Sequence, residues 1–278
     1  MRKTFLLVAA CLVSMLATAQ ILDVVSVQEL PGASYQDARV AGISPNGDYI
    51  LMTNGSNLGL QRYDIASGVM TKLTDAEGAG FNVQISRDGK QIVFRERYTG
   101  ADKLRYNNIV NANLVANTKE TLAVQQVNHD MMVAPGAKVV LTNSECQMYV
   151  TKNGKRINIA PQGTDVNYIW ASLSPDSKKI LYYVSEYGCY VCNVDGSGSQ
   201  FISADCRAPQ WYDNNTIIAM NDQDDGHYTT ASAIMAFTLD GKVQTLTSPD
   251  MIAMYPFAAH GKVVFSTIEG KTYLMTVK

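Results

Sequence analysis

The sequence predicts an all-β fold: a six-bladed propeller of four-stranded antiparallel blades, its ring closed by the N-terminal strand pairing with the last blade. Three observations carry this expectation. A turn-forming phrase recurs six times along the 278 residues, at intervals of roughly 38 to 48, and fixed-period self-similarity marks a repeat architecture. The positions flanking each phrase are apolar in every copy. The last repeat stops one strand short, while the N-terminal region holds a strand too many.

The chain opens on an address. Arg2 and Lys3 form a positive region, Phe5 to Leu16 an apolar one, and Ala17-Thr18-Ala19 supplies the small residues a signal peptidase requires. Residues 1–19 therefore read as a signal peptide, with Gln20 as the new N-terminus and residues 20–278 as one propeller domain. An uncleaved anchor and a lipoprotein route through Cys11 are the alternatives. Export places the protein in a periplasm or outside the cell. No later stretch approaches ~18 consecutive apolar residues, so no membrane span is expected after cleavage.

Next come the repeats. The clear copies are Ile43-Ser44-Pro45-Asn46-Gly47, Ile85-Ser86-Arg87-Asp88-Gly89 and Leu173-Ser174-Pro175-Asp176-Ser177. Weaker ones are Val133-Ala134-Pro135-Gly136-Ala137, Trp211-Tyr212-Asp213-Asn214-Asn215 and Phe257-Ala258-Ala259-His260-Gly261. Each is one apolar residue followed by turn formers. A few residues beyond each phrase lies a consecutive apolar pair: Ile50-Leu51, Ile92-Val93, Val140-Leu141, Ile180-Leu181, Ile218-Ala219 and Val264-Phe265. Adjacent apolar residues in a strand point to opposite faces, so these strands are buried on both sides. Gly68 and Asn117 share a later left-handed turn slot, and Asn153-Gly154, Asp195-Gly196 and Asp240-Gly241 are hairpin signals at comparable places. Each unit thus reads as four strands joined by a turn, a loop and a turn, which is one propeller blade. Two stacked β sandwiches are the competing architecture, but they predict no such period. At the ends, Leu274 to Lys278 leaves the sixth unit unfinished, and Ile21 to Val27 supplies the strand that completes it and removes an open edge.

Four cysteines follow the signal: Cys146, Cys189, Cys192 and Cys206. An even count in an oxidising compartment favours disulfides, and a bridge from Cys189 or Cys192 to Cys206 is the preferred reading. The Cys189-x-x-Cys192 spacing suits a redox site only at a helix N-terminus, and this stretch reads as a strand. A zinc site would need a second ligand pair at metal spacing.

The repeat phrases, Leu173 to Tyr182 above all, resemble those of the TolB-like family of six-bladed propellers with WD40-like (PD40) repeats. The resemblance spans most of the chain after residue 19. It implies a stand-alone propeller, and it carries no ligand over, because the shared residues are structural turns. Propellers related to this family also precede the catalytic domain of prolyl oligopeptidase-type peptidases.

Chemistry is sparse. A net charge of −2 argues against a nucleic-acid partner. No Gly-x-Ser-x-Gly elbow occurs, and His129, His227 and His260 are the only histidines. Asp195-Gly196-Ser197-Gly198-Ser199 lacks the Lys of a phosphate loop and falls where a turn belongs. No cofactor motif is present. Asp222, Asp224 and Asp225 could hold Ca²⁺, though the loop matches the EF-hand pattern poorly and a solvated acidic loop is the plainer reading. The better lead is geometric. Turns repeat on one face of the ring, while the loops on the other vary, and variable loops on a rigid scaffold are where binding resides. That face would carry Phe81, Arg97, Tyr98, His129, Tyr168, Glu186, Tyr187, Arg207, His227, Tyr228 and Tyr255. Phe81, Tyr168 and Tyr255 could equally fill the core between blades. The expectation is a monomeric, non-catalytic scaffold that binds a protein or peptide of the cell envelope through this face and the central channel. The alternative is a sugar-binding or hydrolytic propeller with carboxylates from Glu186, Asp222, Asp224 or Asp225 at the channel mouth.

Overall fold

A computed structural model describes residues 20–126 and 138–278. Strand β1 (Val24–Glu29) comes first. Blade one follows with β2 (Ala38–Ile43), β3 (Tyr49–Asn54), β4 (Leu60–Asp64) and β5 (Met70–Thr74). Blade two has β6 (Gln84–Ile85), β7 (Gln91–Thr99), β8 (Arg105–Asn113) and β9 (Thr118–Gln126). Blade three contributes β10 (Val139–Ser144), β11 (Gln147–Lys152) and β12 (Lys155–Ile159). Blade four has β13 (Tyr168–Leu173), β14 (Lys179–Val184), β15 (Gly188–Asn193) and β16 (Gln200–Ser203). Blade five has β17 (Arg207–Trp211), β18 (Thr216–Asp224), β19 (Thr229–Thr238) and β20 (Val243–Thr245). Blade six has β21 (Ala253–Ala259), β22 (Lys262–Thr267) and β23 (Thr272–Val277). The six sheets are antiparallel, and the protein is a six-bladed propeller. Blade three has three described strands. The phrase Val133 to Ala137, expected to follow its first strand, lies outside the described residues, as do residues 1–19.

Closure occurs as the ends of the sequence require. Strand β1 pairs antiparallel with β23, with Val27 opposite Met275 and Glu29 opposite Tyr273. Asp23 and Lys278 exchange both backbone hydrogen bonds at 2.9 Å. The Gln244 side chain accepts from the backbone N–H of Ile21 and Leu22 at 2.6 and 2.8 Å, tying the start of the chain to blade five.

The phrase repeats because its serine staples a turn. The Ser174 hydroxyl accepts from the N–H of Lys178 and Lys179 at 3.2 and 3.0 Å and donates to Asp176 at 2.7 Å. Ser44 and Ser86 accept in the same way from Asp48 and Tyr49, and from Gln91. In blade five, where serine is absent, Asp213 accepts from Asn215 and Thr216 instead. The fifth residue of the clear copies is left-handed: φ is 68° at Gly47 and Gly89 and 59° at Ser177. Gly68 and Asn117 share the later left-handed slot, at 70° and 53°.

The consecutive apolar pairs explain the core. Ile50, Leu51, Ile92, Val93, Ile180, Leu181, Ile218, Ala219, Val264 and Phe265 are all 0% exposed. The two members of a pair serve different interfaces. Ile50 packs with Val264 and Leu274 of blade six, while Leu51 packs with Ile92 and Phe94 of blade two. Likewise Ile180 faces Met148 and Val150 of blade three, and Leu181 faces Trp211 and Ile217 of blade five. Only blade three departs, with Val140 and Leu141 half-buried.

The inner strands are irregular. Inner strands β2, β13, β17 and β21 each carry a bulge, at Val40/Gly42, Ile169/Ser172, Arg207/Gln210 and Met254/Phe257. Within three of these bulges sit left-handed residues that are not glycine: Trp170 (φ 51°), Ala208 (φ 47°) and Tyr255 (φ 53°). Bulges re-aim side chains at barrel rims and sites, and bulky residues seldom adopt this backbone without a constraint.

Candidate functional site

Antiparallel strands alternate ends, so the turns between β2 and β3, between β13 and β14, and their equivalents lie on one face of the ring and the remaining connections on the other. The phrase turns occupy one face and are joined across blades there. Tyr49 donates to the Gly89 carbonyl at 2.8 Å, Arg87 to Ser177 at 2.8 Å, and Lys262 to the Gly47 carbonyl at 2.7 Å. The opposite face carries the β3–β4, β7–β8, β14–β15 and β18–β19 connections and the loops between blades.

On that face the structure builds three guanidinium–aromatic pairs. Arg39 of β2 lies 3.6 Å from the ring centre of Tyr255 on β21, joining blades one and six. Burial pulls the Arg39 guanidinium below its ordinary pKa, and the neighbouring Tyr255 partly offsets this. Arg207 of β17 lies 6.0 Å from the Trp170 ring on β13, joining blades five and four. Arg95 of β7 lies 4.7 Å from the Phe81 ring in the loop that enters blade two. Such stacking is worth ~0.5–2 kcal/mol depending on desolvation.

The predicted residues divide accordingly. Phe81 stands at the surface, 50% exposed. Arg97 follows it across the same loop, with Nη1 at 3.7 Å from Glu77 Oε1 and Nε donating to Asn107 at 3.4 Å. Glu77 also accepts from Arg105 at 2.5 Å. Tyr98 stacks on Tyr106 at 5.7 Å near the end of the β7–β8 hairpin. Glu186 (φ 69°) and Tyr187 form the exposed β14–β15 turn, and His227 and Tyr228 the exposed β18–β19 tip. Arg207 pairs with Asp222 at 2.6 Å. Tyr255 serves through its stack with Arg39. Tyr168 belongs to the core instead: it is 0% exposed, its hydroxyl donates to the Gly163 carbonyl at 2.7 Å, and its ring lies 5.6 Å from Tyr182. His129 lies outside the described residues.

The acidic loop is spoken for. The Asp222 side chain is 6% exposed and turned to Arg207. Asp224 accepts from the Gly226 N–H, and Asp225 from those of His227 and Tyr228, which hold the Asp225 carboxyl below its ordinary pKa. Among the described residues, no three His, Cys, Asp or Glu side chains are grouped to hold a metal ion.

The cysteines sort by face. Cys189 and Cys192 on β15 point oppositely, Cys189 toward blade five with Cys206 and Cys192 toward blade three. All four cysteines after residue 19 are free thiols in this structure, and those of Cys189 and Cys206 are hydrogen-bonded neighbours. Burial pushes the Cys192 thiol up to about 12, which makes it a poor nucleophile.

Sequence reasoning missed Arg39, Arg95, Trp170 and Tyr183, whose ring lies edge-on to Trp170 at 5.3 Å. Aligning the inner strands on the turn phrase would have offered a signal: Arg39, Trp170, Arg207 and Tyr255 all lie seven to nine positions before the residue that follows it.

Fold and face together define a closed six-bladed propeller with a cation- and aromatic-rich loop side. Comparison with known structures agrees on the fold. A putative TolB from Agrobacterium tumefaciens superposes with a TM-score of 0.57 at 14% identity, covering 91% of this chain and 96% of that one. An oligogalacturonate lyase from Vibrio parahaemolyticus gives 0.52 at 10% identity, covering 84% and 76%. A chain of a mitotic checkpoint complex gives 0.55 at 9% identity, covering 99% and 98%. No protein-family model and no curated protein sequence matches the chain. Among the described residues, no helix is long and apolar enough to cross a membrane.

Proposed function

We propose that this is an exported, non-catalytic propeller that captures a protein or peptide partner across its loop face. The observation that carries the reading is the set of guanidinium–aromatic pairs Arg39–Tyr255, Arg207–Trp170 and Arg95–Phe81 at that face of the ring, with Arg207 and Phe81 exposed and Arg95 buried against Phe81. Arginine and large aromatics anchor interfaces because they desolvate well and lose little freedom on binding. Tyr187 and Tyr228, the latter 74% exposed, extend the surface outward from the rim. Similarity to a chain of a checkpoint complex and to TolB supports a scaffold role. Export rests on residues 1–19, and sequencing the mature N-terminus should begin at Gln20.

The sugar-binding or hydrolytic alternative is not better supported: Asp222 is engaged by Arg207 and Asp224 and Asp225 cap their own turn, which leaves Glu186 exposed in the β14–β15 turn. The test is capture from native cell-envelope extract with wild type and an Arg97→Glu/Arg207→Glu variant. A partner retained by wild type alone, with both proteins folded, supports the reading. Equal retention, or none by either, counts against it.

A further inference from the structure

Two of the guanidinium–aromatic pairs on the loop face differ in how their charge is met. Arg207 is neutralised by Asp222 at 2.6 Å. Arg39 meets the Tyr255 ring at 3.6 Å, and among the described residues no carboxylate pairs with its guanidinium and no acceptor takes its N–H groups. Arg39 lies near the start of β2 and Tyr255 near the start of β21, so the pair stands at the loop-face end of two inner strands, where the central channel opens. Both residues are half-buried. Tyr255 is held left-handed in its bulge, and the left-handed Trp170 packs against the same apolar cluster. Bulky residues kept in such a backbone concentrate at binding sites.

A guanidinium drawn out of water loses free energy that an opposite charge or acceptors must offset. Burial pulls the Arg39 pKa down, and only Tyr255 works against it. The ring covers one side of the guanidinium and leaves the in-plane N–H groups open. Those donors match a carboxylate, which accepts two of them in parallel. The exposed acidic side chains of this face, Glu186, Asp224 and Asp225, belong to blades four and five and not to the blades that carry the pair.

We propose that Arg39, stacked on Tyr255 at the channel mouth, receives a carboxylate side chain of the partner, so that the captured segment is acidic. This segment is the contact of the partner proposed above, and its assignment rests on that reading.

The probes are short capped peptides of Gly alternating with Glu, Gln or Lys. They are titrated into the purified protein and followed through the Arg39 Nε–H and backbone amide resonances. The Glu peptide should shift the Arg39 Nε–H and the amides of residues 38, 39 and 255 with a Kd on the order of 1 mM. The Gln peptide should bind at least about tenfold more weakly. Arg39→Gln should weaken the Glu peptide about tenfold, while Arg87→Gln, on the opposite face, should leave its affinity unchanged. The shifts are mapped on the wild-type protein, so they locate the site even where Arg39→Gln fails to fold. Four outcomes overturn the proposal: no Glu-peptide binding at about 10 mM, equal binding of the Gln peptide, preference for the Lys peptide, or shifts that bypass Arg39. The titration needs no partner. Its failure with partner capture intact would refute the acidic segment alone, and failed capture with Glu-peptide binding intact would refute the capture reading alone.

Discussion

Ser174 is the smallest unit of the fold that does measurable work. Its hydroxyl is buried and meets two backbone N–H groups and one carboxylate. Ser174→Ala leaves the Lys179 N–H without its acceptor, while the Lys178 N–H keeps Asp176 at 3.1 Å, and an unsatisfied buried donor costs ~1–3 kcal/mol. The denaturant midpoint should fall accordingly, while Asp176→Asn should cost less because Ser174 still accepts. Buried tyrosines set the alkaline limit together, Tyr49 among them with Tyr168, Tyr182 and Tyr183, whose phenols burial also raises. Burial raises Tyr49 from 10.0 to about 12, and its hydroxyl donates to Gly89 of the next blade. A folded state that holds the phenol neutral gains stability in full below pH 10 and loses it as the pH climbs through about 12. Thermal melts should therefore decline from pH 10 upward, and Tyr49→Phe should flatten that decline.

Among the elements, β1 has the clearest task. It buries little apolar surface of its own, with Val25 and Val27 exposed, yet it covers the edge of β23 and is anchored by buried Leu22 and by Gln244. Deleting residues 20–29 removes Leu22 and the ladder, a loss of at least ~3 kcal/mol, so the melting temperature should drop by about 6–12 °C and the exposed edge should promote association. Strand β15 makes a second prediction. Cys189 and Cys206 share one interface while Cys192 faces the other blade. Oxidised glutathione should exchange only slowly with this pair, because both thiols are buried and burial raises that of Cys206, but the exchange should release two reduced glutathiones and form a Cys189–Cys206 bridge, which peptide mapping would detect. A Cys192–Cys206 bridge would contradict the placement. At this scale the sequence was most legible where physics is local: serine turns, left-handed glycines, apolar pairs that serve two interfaces, and an end that lacked its strand. It was silent where structure is non-local. Arg39 and Tyr255 meet across the ring closure, far apart in sequence, and no short-range pattern announces that stack. The bulges that set Trp170 and Tyr255 are equally hidden, because propensity argues against bulky residues at positive φ. Tyr168 shows the converse case: its place at the start of an inner strand allowed either display or core packing, and packing consumed it.

For the whole molecule, the asymmetry between the faces is the functional statement. One side is closed by turn-to-turn hydrogen bonds between blades, and the other displays cations and aromatic rings on a scaffold held rigid by six interlocked cores. Binding should leave the ring unchanged and alter only that surface, as is usual for preorganised interfaces. The direct measurement is hydrogen–deuterium exchange of the protein with its captured partner, set against the free protein. Residues 55–59, 77–83 and 222–229 should gain protection, while turns 44–48, 86–90 and 174–178 stay unchanged. Protection confined to those turns would place the partner on the opposite face and contradict the account.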